Sequence, residues 1–155
     1  QRQMCIRDRI LADRPGVRFL SLFQWPLFPH RRMEPTPSNA VLSPLPAGAG
    51  GEEIRSVVEN VWLPEIDKFQ PDLMILSAGF DAHCEERIAQ LKAGEMDYAC
   101  VTRLLVEASF AYCEGRLVSV LEGGYELRSL ARSVFTHLQG LIRNPLPAET
   151  CKDPN

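Results

Sequence analysis

Two apolar runs, each broken off at glycine, constrain this chain more than anything else in it. PDLMILSAGF, Pro71 to Phe80, is a continuous apolar stretch opened by proline, the pattern of a strand covered on both faces; LVSVL, Leu117 to Leu121, repeats the pattern ahead of a Gly-Gly turn. Between them, Tyr98, Val101, Leu105, Ala108 and Tyr112 share one face of a helix that Gly94 starts and Gly115 stops. Strand, helix, strand in this order predicts parallel strands in an α/β layer fold, where ligands bind beyond the carboxyl ends of the strands. Asp81 follows the first run in LSAGFDAH and Tyr125 follows the second in LEGGYEL. A carboxylate suited to hold a metal and a phenol suited to donate a hydrogen bond are thus expected to face one cavity.

The remaining elements fit the same plan. VRFLSL, Val17 to Leu22, suits a short buried strand, and the proline-rich QWPLFPHRRMEPTPSN after it is loop, because its prolines fix φ and remove backbone donors. Ala40 to Leu45 is a brief edge strand. GAGG at 48–51 leads into a helix carrying Ile54, Val57, Val58, Val61 and Trp62, with Glu52 and Glu53 in its first turn and Pro64 set to bend or end it. Glu53 stands where a GxGxxG fingerprint needs its last glycine, which argues against phosphate binding there. Leu127, Leu130, Val134, Leu138 and Leu141 mark the apolar face of a final helix, ended by Asn144-Pro145, and residues 146–155 read as a flexible tail.

Composition narrows the classes. A chain of 155 residues with 45% hydrophobic content supports one domain with a real core. Its net charge of −3, with both signs interspersed, lacks the basic footprint of a nucleic-acid binder. No apolar run reaches the roughly 18 residues that span a bilayer, so a cytoplasmic protein without a membrane partner is expected. The five cysteines are odd in number and never spaced as CxxC, which predicts free thiols rather than a disulfide framework or thiolate zinc site. Met4 to Arg9, MCIRDR, back-translates to a transposon end used in sequencing-library preparation. Residues 1–9 are therefore read as non-native, residues 10–145 as the domain, and upstream sequence as missing.

SLFQWPLFP (21–29), PLPAGAGGEE (44–53), WLPEIDKFQPDLMILSAGFDAH (62–83) and LVSVLEGGYELRSLARSV (117–134) stand in an order that resembles the histone deacetylase superfamily, in particular its bacterial amidohydrolase-like members. The resemblance runs from Val17 to Ile142. It implies an arginase/deacetylase-like three-layer α/β fold with a mainly parallel sheet, present here as its C-terminal half. It also implies zinc-dependent hydrolysis of an acetyl amide, on an acetyl-lysine peptide or a small substrate such as an acetylpolyamine. Asp81 matches one of the family's zinc ligands and Tyr125 the tyrosine that points at the substrate carbonyl. Phe28 matches an aromatic residue lining the substrate tunnel, with the backbone of Gly123 and Gly124 shaping the same slot. Ser21 and Leu22 match positions whose carbonyls bind a structural monovalent cation, potassium, in relatives.

The departures from the family pattern are equally concrete. Relatives carry histidine where this chain has Phe23, a Pro-Gly-Thr-Gly loop where it has Pro29-His30-Arg31-Arg32, and an Arg-x-Asp-Pro-like continuation where it has Cys84-Glu85-Glu86-Arg87. The Asp-x-His segment and the paired histidines of the family lie upstream of this region. None of His30, His83 and His137 sits in a matching context. The chain alone is therefore expected to be inactive, and the alternative is a noncatalytic binding or assembly module that keeps the fold. Taken singly, an aspartate after a strand is more often a cap or turn residue than a ligand, and a tyrosine more often packing. SAGFDAH around the one and Gly-Gly before the other tip both towards function.

Overall fold

In the computed structural model, residues 9–27 and 36–142 are described. The chain divides into two compact units, residues 1–47 and 48–155. The suspected non-native segment up to residue 8, Phe28, the His30-Arg31-Arg32 stretch and the 146–155 tail lie outside the described residues.

In the first unit, β1 (Phe19–Gln24) pairs in parallel with β2 (Ala40–Leu45), from Phe19↔Ala40 to Gln24↔Leu45. The first strand sits two residues later than the apolar run suggests. The Asn39 carbonyl accepts from the Phe19 N–H (2.9 Å), and the Asn39 side-chain amide donates to the carbonyls of Leu11 and Val17, so the register is set before Phe19.

In the second unit, α1 (Gly51–Val57) passes through a π-helical turn, Val58–Trp62, into α2 (Leu63–Phe69). Pro64 therefore does not end the helix. The Leu63 N–H reaches back to the Val58 carbonyl, the widened turn absorbs the donor that proline lacks, and Gln70 (φ 53°) closes the helix instead. Next come β3 (Met74–Ala78), α3 (Glu95–Cys113), β4 (Leu117–Leu121) and α4 (Leu127–Ile142). Gly50 and Gly94 begin α1 and α3, each with its N–H held at 2.8 Å by an acid three residues on, Glu53 and Asp97. A segment that periodicity does not reveal, residues 90–93, bridges 48–50 to 82–84 through short parallel contacts.

β3 and β4 pair in parallel, Met74↔Leu117 to Ala78↔Leu121. Only one face of the pair is covered by the described residues, contrary to the two-sided burial expected of PDLMILSAGF. Ala78 is buried, whereas Ile75 (67% exposed), Val118 and Val120 stand open on the other side. The buried face of α4 also differs from its leucine stripe: Ser129, Ser133, His137 and Gly140 are buried while Leu127 and Leu138 are exposed. These small residues let α4 approach α3 closely, as a Cβ on Gly140 would lie 2.9 Å from Thr102 Cγ2. His137 stitches the layers together. Thr102 donates to the Tyr98 carbonyl, so its oxygen accepts from His137 Nδ1 (2.7 Å), and His137 Nε2 accepts from Ser119 (2.8 Å). Cys84 and Cys113 are free, but Cys100 is disulfide-bonded, which corrects the expectation of free thiols throughout. Among the described residues no helix is long and apolar enough to cross a membrane.

Candidate functional site

Because β3 and β4 are parallel and in register, their carboxyl ends run out side by side. The ladder continues one step beyond them, with the Glu122 N–H donating to the Ala78 carbonyl (3.0 Å) and the Phe80 N–H to the Gly123 carbonyl (2.9 Å). Phe80 turns inward, buried, with its ring 5.0 Å from Tyr98 and 5.6 Å from His137. The next residue, Asp81, lays its carboxylate over Gly123: a Cβ there would meet Oδ2 at 2.8 Å and Cγ at 2.9 Å.

The two glycines do different work. Gly123 provides room for the Asp81 carboxylate. Gly124 takes φ 122°, and a Cβ on it would strike Leu130 Cδ1 at 2.7 Å, so both backbone and space call for glycine. Tyr125 follows, 46% exposed. Its backbone N–H donates to Glu86 Oε2 at 2.8 Å, as does that of Glu126 at 3.2 Å, while Glu86 Oε1 accepts from the Arg87 N–H at 2.9 Å.

The electrostatics follow from this crowding. Burial raises the Asp81 pKa above the ordinary carboxylate value; its own backbone amide opposes that, and the charges of Glu86 and Glu122 add to it. Burial would likewise raise Glu86, but the N–H groups of Tyr125, Arg87, Glu126 and Ile88 outweigh it and hold Glu86 low and ionised. The Tyr125 phenol is raised by burial and then by the Asp81 and Glu86 charges, so it stays protonated at neutral pH. Behind the site, His83 is buried, accepts from the Glu85 N–H at Nδ1 (3.1 Å), faces Glu95 at Nε2 (3.5 Å) and stacks on Tyr98. Arg132 bonds to Glu95 and holds its carboxyl down to about 2.

Comparison with known proteins fixes the lineage. Residues 7–141 match the family described as Histone deacetylase domain. The chain belongs to the histone deacetylase family. Among its relatives, chloroplastic histone deacetylase 10 of Oryza sativa subsp. japonica is 32% identical over 146 residues, covering 90% of this chain and 33% of the relative. A probable deacetylase of Archaeoglobus fulgidus is 34% identical over 126 residues, 77% of this chain and 35% of that protein. The mouse polyamine deacetylase HDAC10 is 37% identical over 100 residues, 64% of this chain and 14% of that protein. Of solved structures, the HDA15 HD domain superposes with TM-score 0.79 at 25% identity, over 93% of this chain and 44% of that one. The histone deacetylase Clr3 gives 0.76 at 24%. The chain thus spans well under half the length of these relatives, and its fold is a partial arginase/deacetylase fold with parallel strands.

Within this histone deacetylase fold, Asp81, Gly123, Gly124 and Tyr125 come together at one end of the β3–β4 pair. Ser21 and Leu22 lie mid-strand in β1, in the other unit, paired with Leu42 and Ser43. Phe28 is outside the described residues. As for a metal, Asp81 fits as one ligand, since a carboxylate raised by burial and by neighbouring carboxylates is one that a cation would stabilise. It does not make a site alone: among the described residues no three His, Cys, Asp or Glu side chains cluster to hold an ion. Sequence reasoning passed over Glu86, treating it as a departure beyond the ligand. The signal was present in its position where relatives carry Asp-Pro.

Proposed function

We propose that this chain is the C-terminal half of a zinc-dependent hydrolase that removes the acetyl group from acetyl-lysine or an acetylated polyamine. The observation carrying the reading is the Asp81 carboxylate laid against the Gly-Gly turn that presents Tyr125. Family membership, with relatives that include a polyamine deacetylase, supports it. In this reading Asp81 is one of three protein ligands, the other two coming from beyond these residues. Zinc, when bound, supplies a Lewis acid and a water of lowered pKa.

The residues of this chain do the remainder. Tyr125, kept protonated by burial and by the two carboxylates near it, donates a hydrogen bond to the amide oxygen as negative charge builds there, a contribution of about 3 kcal/mol. The backbone of Gly123 and Gly124 shapes a narrow slot for the extended acetylated side chain, and the carbonyls of Ser21 and Leu22 would hold a potassium ion. The 155 residues alone, with one ligand and no histidine base in a matching context, are inactive.

The test uses the full-length protein. Asp81→Ala is expected to lose zinc by metal analysis, whereas Tyr125→Phe keeps zinc and an unchanged KM while kcat falls on the order of 100-fold. Stoichiometric zinc in Asp81→Ala refutes the assignment.

A further inference from the structure

The best-held side chain at the site is one the proposed chemistry does not use. Glu86 is 9% exposed and stays ionised. A buried carboxylate is costly unless its oxygens are satisfied, and here they are satisfied by main chain rather than by a cation. Oε2 accepts from the consecutive N–H groups of Tyr125 and Glu126, and Oε1 accepts from its own neighbour Arg87. The first two bonds span the gap between the segment after β3 and the segment after β4. They fall on the residue bearing the phenol and on the one after it, directly past the Gly123-Gly124 pair, where the chain is least able to hold itself.

Gly124 explains why a clamp is needed. With φ at 122° and no side chain, the turn depends on its neighbours: the Phe80 N–H to Gly123 carbonyl bond secures its near end, and the Glu126 carbonyl, accepting from the Leu130 N–H (2.9 Å) and the Ser129 hydroxyl (3.2 Å), ties the other end to α4. Half-exposed, Tyr125 gains little orientation from packing. Between these two anchors, Glu86 holds the N–H groups of Tyr125 and Glu126.

We propose that Glu86 is a positioning residue for Tyr125: its buried carboxylate clamps the backbone N–H groups of Tyr125 and Glu126 and so fixes where the phenol stands relative to Asp81. The proposal rests on the deacetylase reading of Tyr125. Glu86 touches no substrate and acts only through the loop.

The experiment is a double-mutant cycle in the zinc-loaded full-length enzyme, assayed on an acetyl-lysine peptide. Glu86→Ala is expected to lower kcat on the order of 10- to 100-fold, with KM changed less than about twofold and zinc content unchanged. Glu86→Gln, which keeps one acceptor oxygen and guards against a misfolded alanine variant, falls in between. In a Tyr125→Phe background either substitution should have almost no further effect, because the group it positions is gone; a merely structural role would add its full loss again. Amide hydrogen exchange at Tyr125 and Glu126 should speed up in both Glu86 variants while Phe80 stays protected. Wild-type kcat in Glu86→Ala and Glu86→Gln, or full additivity with Tyr125→Phe, overturns the proposal. Should Tyr125→Phe itself retain full turnover, the role of the phenol fails first, and the exchange data still report whether the clamp exists.

Discussion

A methyl group at residue 123 would test the packing of the site directly. An alanine Cβ there would sit 2.8 Å from Asp81 Oδ2, 2.9 Å from Cγ and 3.1 Å from Oδ1, whereas non-bonded carbon contacts settle near 3.5–4.0 Å. Oδ2 and Cγ would have to move by about half an ångström and Oδ1 by a few tenths of one. A Cβ on Gly79 would lie 3.3 Å from Oδ1, a milder contact. Gly123 does not share the positive φ of Gly124, so the backbone itself accepts alanine and the whole cost is the clash. Overpacking of this kind costs about 1–3 kcal/mol. Urea unfolding of the chain should therefore show Gly123→Ala losing that amount at unchanged m, and Gly79→Ala losing under about 1 kcal/mol. In an Asp81→Ala background the methyl has no carboxylate to strike, and the loss at Gly123 should shrink below about 0.5 kcal/mol. Equal losses in the two backgrounds would refute the claim that the carboxylate lies on Gly123.

Two further outcomes concern groups behind the site. Burial depresses the His137 pKa below its ordinary 6.5, so the unfolded chain binds more protons as the pH drops; the stability tied to neutral His137 is complete above about pH 6.5 and is lost as pH falls through the folded value. His137→Gln should flatten stability between about pH 7.5 and 5.5, and an unchanged slope in urea unfolding across that range would contradict the Thr102–His137–Ser119 stitch. The Tyr98 hydroxyl is buried with only the Ala82 N–H leaning on it and no hydrogen bond of full geometry. Tyr98→Phe should consequently be neutral or stabilising by up to about 1 kcal/mol, and a loss above about 1.5 kcal/mol would show a partner that matters.

The ends of β3 and β4 were legible because three signals coincide there: an apolar run, a glycine break and a reactive side chain. Gly94 likewise announced the start of α3. The leucines of α4 misled because periodicity looks for bulk, whereas a helix pressed close to its neighbour buries what is small; Ser129, Ser133 and Gly140 carry no hydropathy signal. Pro64 left open whether the helix bends or ends there; it does not end, and the π turn that carries it through is invisible to a rule built on 3.6 residues per turn. Glu86 read only as a departure from the family's Asp-Pro continuation, since its meeting with the amides of Tyr125 and Glu126 depends on β3 pairing with β4.

That dependence makes the two strand ends one structure. Asp81 occupies the space that Gly123 leaves open, and Glu86 holds the residues that Gly124 leaves loose, so each loop supplies what the other lacks. The charges divide in the same way. Glu86 raises the proton affinity of Asp81, whereas Glu86 itself has four backbone amides to offset its burial. Its ionisation is settled by those amides, whereas Asp81 has only its own backbone amide against its burial. A substitution at Glu86 therefore loosens the Tyr125 turn. Glu86→Gln, which keeps one acceptor oxygen for the turn, should loosen it less than Glu86→Ala.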